Sequence, residues 1–593
     1  MNNKTSRPIR RTAIIVTSVM LLVIVSLVGC QKKRTNSSGS MEVMTQTKKD
    51  TSVNLRQALE LLERLDEYET ASAQERILFN MRYWLKDQPL PDWIADPMAN
   101  RLPKEYQPLT DPTILTQMEL EPFDIQMIQE AHWLRSIGRS ILIKHVVPPD
   151  LAATIQASST NLDAETATDV ESACRLFDWV VRHIQTDTPD RYPSELNLFV
   201  WEVLLRGHGT VDEKGRTFLL LARQMGLQVV MLGIDRSEGT ADPEAWLPAL
   251  ILNDQLFLFD MHLGVPLPHA ANDPSIVTWQ ELRQDRSILE NLSVGETAYR
   301  LKAADLDHVV AMIDATPAYL SQRMKTIELA MTGDSRLVLS TQPTPIARNL
   351  QQNHPGLQRM EIWTFPYRAF LQRSNLDFQS ETFAMLTNEQ SLFGYDRSFE
   401  LQDGFSTQSV RKSREEAALE AMGEKKIDEK TRTKNRVSLI QGRLLQFRGE
   451  YERENDKRGA RVHYLGCRMP QSEIDAFAQH ARAANQPANR IQYIVDSFVR
   501  TKENATYWLG LMNFDEGDFT IAAEYFQKRV LDGFPNGFWN AGATYNLART
   551  YEAISRRDNN AELKSQAIEL YLSESNSAGS LASQWRAKVL QQH

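Results

Sequence analysis

The run Trp201-Glu202-Val203-Leu204-Leu205-Arg206-Gly207-His208-Gly209-Thr210-Val211 leads through two glycines into a second apolar segment. That segment reads as a helix carrying Phe218, Leu219, Leu221, Ala222 and Met225, and Gly226 stops it by supplying the left-handed cap. Leu227 to Ile234 is apolar and β-branched, so a strand follows. Trp246–Leu252 and Gln255–Asp260 then form a hairpin across Asn253-Asp254. Upstream, Val170, Cys174, Phe177, Val181 and Ile184 share one helical stripe. Helix, loop, helix and antiparallel strands is an α+β order. The unit is placed at residues 155–300.

Outward from this unit the pattern changes. At 593 residues the chain is too long for one hydrophobic core, which predicts an α+β multidomain protein. Residues 53–150 read as a helical leader: Leu55, Ala58, Leu59, Leu62 and Leu65 share a face. Ser72-Ala73-Gln74-Glu75 is a capping-box pattern for a second helix with Ile77, Leu78, Met81, Trp84 and Leu85 on its apolar side. A further helical stretch is expected over about 116–145, before Pro148-Pro149. Residues 301–435 form a mixed α/β region. Arg336–Ser340 and Met360–Thr364 are expected there as short strands, and residues 411–436 as a charged helix or linker.

Residues 436–593 are expected to be all-α. Gly510, Ala522 and Phe526 follow a small–small–aromatic spacing, and Ala548, Tyr551, Ala567 and Tyr571 begin to repeat it. That spacing is similar to the tetratricopeptide repeat, whose small residues let two helices approach while an aromatic plugs the gap. Leu444, Leu445, Phe447, Gly449 and Tyr451 fit a more degenerate earlier unit. A generic helical bundle is the alternative. Either surface implies protein or peptide partners rather than catalysis.

The composition narrows the function. With 42% hydrophobic and 24% charged residues the chain is neither disordered nor a multi-span membrane protein. A net charge of -9 argues against a general nucleic-acid binder. Three cysteines, Cys30, Cys174 and Cys467, make neither a disulfide framework nor a cysteine zinc site, and no metal or cofactor is expected. Lys4, Arg7, Arg10 and Arg11 precede an apolar run from Ala13 to Gly29. A basic start and a short apolar stretch fit a secretory signal. Leu27-Val28-Gly29-Cys30 resembles the lipobox of bacterial lipoproteins, which implies cleavage of residues 1–29 and lipidation of Cys30. The alternative is a retained anchor helix. Residues 30–52 are polar and read as a flexible tether. The implied location is the cell envelope, with the membrane reached through a lipid anchor.

Residues 155–300 resemble a transglutaminase-like domain, a papain-related fold. Gly207-His208-Gly209-Thr210-Val211 matches the turn before the nucleophile, and Leu221-Ala222-Arg223-Gln224-Met225-Gly226-Leu227 matches the end of the following helix. The family's catalytic histidine precedes an Ala-Trp pair, here Glu244-Ala245-Trp246, and its aspartate closes the next strand, here Asp260. In this register the nucleophile position holds Val211 and the base position Glu244. Valine has no lone pair, so the resemblance implies a fold without its chemistry. Gly207, Gly209, Trp246 and Asp260 are the expected surroundings of a residual peptide cleft. Cys174 is read as a structural thiol, and His208 and His262 as structural histidines. The expectation is non-catalytic protein or peptide binding. The rival expectation is a hydrolase or acyl transferase with a rearranged site, with Glu244 and Asp260 as paired carboxylates in one version.

Overall fold

The computed structural model describes residues 52–593, apart from 65–69, 188–195, 238, 240, 296, 378, 394–398, 401–435, 453–457, 574–578 and 593. The lipobox with Cys30, nearly all of the tether and nearly all of the charged stretch lie outside the described residues. The protein is a mixed α+β structure, mostly helical, with a six-stranded sheet.

The leader contributes α1 (Ser52–Glu63), α2 (Thr70–Leu85) and α3 (Pro122–Lys144). Two boundaries differ from expectation. Helix α2 begins at Thr70, so Ser72 sits inside its first turn, exposed, and is not the cap. Helix α3 starts at Pro122, where Glu121 and Asp124 form the capping box; a separate short helix, Pro112–Thr116, precedes it.

Next come α4 (Ala164–His183), α5 (Val200–Arg206) and α6 (Val211–Gln224). Asp163 caps α4 by accepting from the Glu165 and Thr166 amides, both at 3.0 Å. Its stripe of Val170, Cys174, Phe177, Val181 and Ile184 is buried. Gly207 ends α5 at φ 76°, a conformation glycine adopts without a Cβ penalty, and an added Cβ there would press on Trp539 and Trp508. Thr210 then opens α6: its Oγ1 accepts from the Glu213 amide and its own amide donates to Glu213.

The sheet takes β1 (Gln228–Ile234), β2 (Glu244–Leu252), β3 (Gln255–Asp260), β4 (Val265–Pro266), β5 (Val309–Ile313) and β6 (Met360–Ile362), in the order β6-β5-β1-β2-β3-β4. The pairs are antiparallel except β5 with β6. The β2–β3 turn is the expected Asn253-Asp254, with Asn253 at φ 51°. Alternate residues face opposite ways. Val229, Met231, Leu250, Phe257 and Phe259 join one core with α3, α4, α6 and the carboxyl-terminal helices. Val230, Leu232, Leu247, Ala249 and Leu258 join a second core with Trp279, Leu282 and Tyr367. Both faces are covered, which explains why the strands read as near-continuous apolar runs.

The mixed region departs most from expectation. Arg336–Ser340 is not a strand. The Leu339 and Ser340 amides donate to the Glu328 carboxylate, and Gln224 exchanges hydrogen bonds with the Val338 backbone. Side chains thus supply the bonds that a neighbouring strand would have made. Met360–Ile362 is a strand, and it pairs with β5, which the sequence reading missed. The helix α7 (Phe365–Ser374) follows.

The tail holds α8 (Ala488–Asp515), α9 (Phe519–Glu524, continued by a π turn over Tyr525–Leu531), α10 (Asn540–Asp558), α11 (Ala561–Ser573) and α12 (Ser580–Gln592). A Cβ on Gly510 would stand 2.6 Å from the Phe526 ring, so these two helices touch where a small residue meets an aromatic. Ala522 is fully buried in the same core. Ala548, Ala567 and Tyr571 are buried together, with Tyr551 packed against them.

Candidate functional site

A cleft of about 490 Å³ opens at the amino-terminal end of α6. Thr210, Val211 and Asp212 form its floor; Asp242, Pro243, Glu244 and Ala245 form the β2 side. His262 and Arg300 stand behind, and Trp363, Thr364, Phe365 and Arg368 close the remaining wall from the start of α7. The placement follows from local structure. The Thr210 capping box fixes where α6 begins and puts Val211 on its first turn. A register shift between Leu232 and Gly233 sets Glu244 at the mouth of β2, and an added Cβ on Gly233 would strike Met312.

Val211 and Glu244 therefore share one cleft. Asp260 does not reach it. The carboxylate of Asp260 is fully buried; its Oδ1 accepts from the His262 and Leu263 amides at 2.7 and 3.0 Å, and its Oδ2 accepts from the Tyr299 hydroxyl. Burial, then the Asp260 charge, push the Tyr299 pKa well up, which keeps that hydroxyl a donor. Trp246, also buried, donates from Nε1 to the Tyr299 oxygen at 3.0 Å. Asp260 and Trp246 thus brace the wall from inside. Glu244 is 62% exposed and accepts from Arg236 at 2.8 Å. The expected pair of facing carboxylates is not formed: one is held by an arginine at the surface, the other by a tyrosine in the core.

Gly207 and Gly209 do not line the cleft; they let the chain turn into α6, and a Cβ on Gly209 would press on Glu213. His208 is buried between Asp187, 2.7 Å from Nδ1, and Glu389, 3.3 Å from Nε2. Burial lowers its pKa, but the two carboxylates overcome this and raise it to about 9, so it carries a proton in a structural ion cluster. Cys174 and Cys467 are buried free thiols whose pKa burial raises. They are not activated nucleophiles.

One cleft residue, His262, reads from sequence as structural, and several others escaped the sequence reading. His262 stands there with its pKa lowered by burial and then by Arg300, whose Nη1 donates to its Nε2 at 2.9 Å. Arg300 also donates from Nη2 to the carbonyls of Ala245 and Trp246. Burial raises the Asp212 pKa, against the opposing pull of Arg300 and Arg368. Arg368 is 45% exposed and donates to Asp242 at 3.1 Å. Asp212 adjoins Val211 and was readable from it; Arg300, Trp363, Phe365 and Arg368 come from a region without any recognised motif.

Chemically the cleft offers apolar wall on one side and interleaved carboxylates and guanidinium groups on the other. Its lining includes no thiol, and its imidazole already accepts from an arginine. Among the described residues no group of three histidine, cysteine or acidic side chains has the geometry to hold a metal ion. No described helix is long and apolar enough to cross a membrane. Family models, curated proteins and solved structures give no match to this chain.

Proposed function

We propose that this chain is a lipid-anchored cell-envelope protein that binds polypeptide segments without chemistry. It does so through a transglutaminase-like domain without its nucleophile and base, supported by tetratricopeptide-like helices. The observation that carries the reading is the cleft at the head of α6, where Val211 and Glu244 meet in one open groove of about 490 Å³. The order of elements supports it: a glycine turn, a helix beginning at Val211, then antiparallel strands with Glu244 at the start of one and Asp260 at the end of the next. The lining suits an extended peptide through its mixed charges, which pair with the peptide's polar groups, while the buried Trp363 and Phe365 back the wall. Covalent acyl transfer has no lone pair at Val211, and the His262 nitrogen nearest to serving as a base is occupied by Arg300.

The test is retention of a random-sequence peptide pool by the immobilised full chain. Val211→Arg places a long side chain across the floor from a half-buried first-turn position that lines the open cleft. It should abolish retention while the unfolding transition stays where it was. Equal retention by the variant would defeat the cleft as the binding surface.

A further inference from the structure

A second, narrower cavity of about 80 Å³ lies between α6 and the carboxyl-terminal helices, lined by residues that include Thr186, Lys214, Tyr507 and Asn546. Val211 and His262 line both this cavity and the cleft, so the two adjoin. Lys214 stands one helical turn beyond Val211 and is only 4% exposed. Its Nζ donates to Thr186 Oγ1 at 3.1 Å, and Thr186 lines the same cavity. An ammonium has three protons to donate, and among the described residues no carboxylate lies in ion-pair contact with it. Asp187, whose charge acts on it, is already bound to protonated His208. A buried cation without a contact counter-ion is costly unless something supplies the missing charge. Burial accordingly lowers the Lys214 pKa to about 8, only partly opposed by Asp187, which leaves it charged at neutral pH.

The space suits a chain end. At about 80 Å³ it has room for roughly three water molecules at about 30 Å³ each, too little for a strand to pass through. We infer that the cavity beside Lys214 receives the terminal α-carboxylate of the peptide whose preceding residues lie in the cleft. The carboxylate accepts from Lys214 Nζ, a charge-assisted bond in a site shielded from water. This rests on the peptide-binding reading above and adds the direction and the end of the ligand.

The experiment compares two N-acetylated random hexapeptide pools, one with free carboxyl termini and one amidated, on the immobilised full chain, quantified by mass spectrometry. The acid pool should be retained about tenfold better, the factor that one such bond supplies. Lys214→Met and Lys214→Gln should both remove the preference, and sodium acetate alone should not displace the acid pool. Equal retention of the two pools overturns the inference and leaves peptide binding standing. The wild-type comparison needs no variant, so a misfolded substitution does not shield the idea. Preference persisting in either folded variant also overturns it. Complete displacement by acetate assigns the site to small free carboxylates and overturns the peptide terminus. If neither pool is retained, this inference and the binding reading fall together.

Discussion

At the scale of single residues, identity and surroundings carry different information. Val211 is informative by identity: a side chain without a lone pair at the first turn of α6 excludes a nucleophile there, whatever surrounds it. Asp260 is informative only by surroundings. In sequence it closes a strand as a catalytic aspartate would, yet two amides and the Tyr299 hydroxyl use its oxygens. His262 shows the reverse case, since a lone histidine without motif stands in the cleft and a distant arginine fixes its acceptor nitrogen. Cys30 belongs to this scale too. Under the proposed lipidation of Cys30, the chain should partition into the detergent phase and the membrane fraction. Cys30→Ala should move it to the aqueous phase, and unchanged membrane retention would favour an anchor helix over the lipid.

At the scale of elements, local periodicity places α1, α4 and α6 well, while the starts of α2 and α3 differ from the reading. The α4 stripe, the stop at Gly226 and the β2–β3 hairpin are each written in a short window, because 3.6-residue and two-residue periods arise from backbone geometry alone. Arg336–Ser340 failed for the complementary reason: alternation permits a strand, but pairing needs a partner, and Glu328 and Gln224 took those backbone groups instead. The contact of α8 with the following helix gives a direct test. Gly510→Ala puts a methyl group against the buried Phe526 ring, which sits among Tyr507 and other core side chains and has little room to move. The expected cost is about 1–3 kcal/mol in urea unfolding. A neutral result would mean that the two helices separate more easily than their packing indicates.

At the scale of the whole molecule, a buried ionic network ties the tail to the α4–α6 core. Asp515, the last residue of α8, accepts from Arg182 and His183 of α4, each at 2.9 Å. Asp178 of α4 accepts from Arg549 of α10, and Asp150 accepts from both Arg549 and Arg586. Burial would raise the Asp515 pKa, but the neighbouring imidazoles and Arg182 hold it far below the usual carboxylate range. Asp515→Asn leaves Arg182 short of charge in a dry interior and should cost about 3–5 kcal/mol in denaturant unfolding. Burial lowers the His183 pKa to about 4 despite Asp515. A histidine depressed in the folded state contributes full stability above its unfolded pKa near 6.5, and that contribution falls as pH drops from about 6.5 to 4. Glu130 and Glu213, raised by burial to about 7, act in the opposite sense: their contribution is present below about 4.5 and is lost as pH rises through 7. The isolating measurement is therefore the stability gap between wild type and His183→Gln. It should shift against wild type by on the order of 3 kcal/mol between pH 6.5 and 4, and a pH-independent gap would remove His183 from the network.

The amino-acid sequence by itself determined the helical leader, the order of α4, α6 and strands β1 to β3, the helical tail, and a valine where a thiol would be needed. Each is a property of residue identity or of a window shorter than about twenty residues, which backbone geometry translates directly. Only the tertiary structure decided which side chains meet. It brought Arg300, Trp363, Phe365 and Arg368 to the head of α6, turned Asp260 inward, and buried Lys214 at the seam with the tail. Those outcomes depend on contacts between residues up to some hundreds of positions apart, and no local period encodes which distant carboxylate reaches a buried cation. The buried charge at Lys214, bonded to Thr186 and without a carboxylate contact among the described residues, exists only once the chain has folded around it.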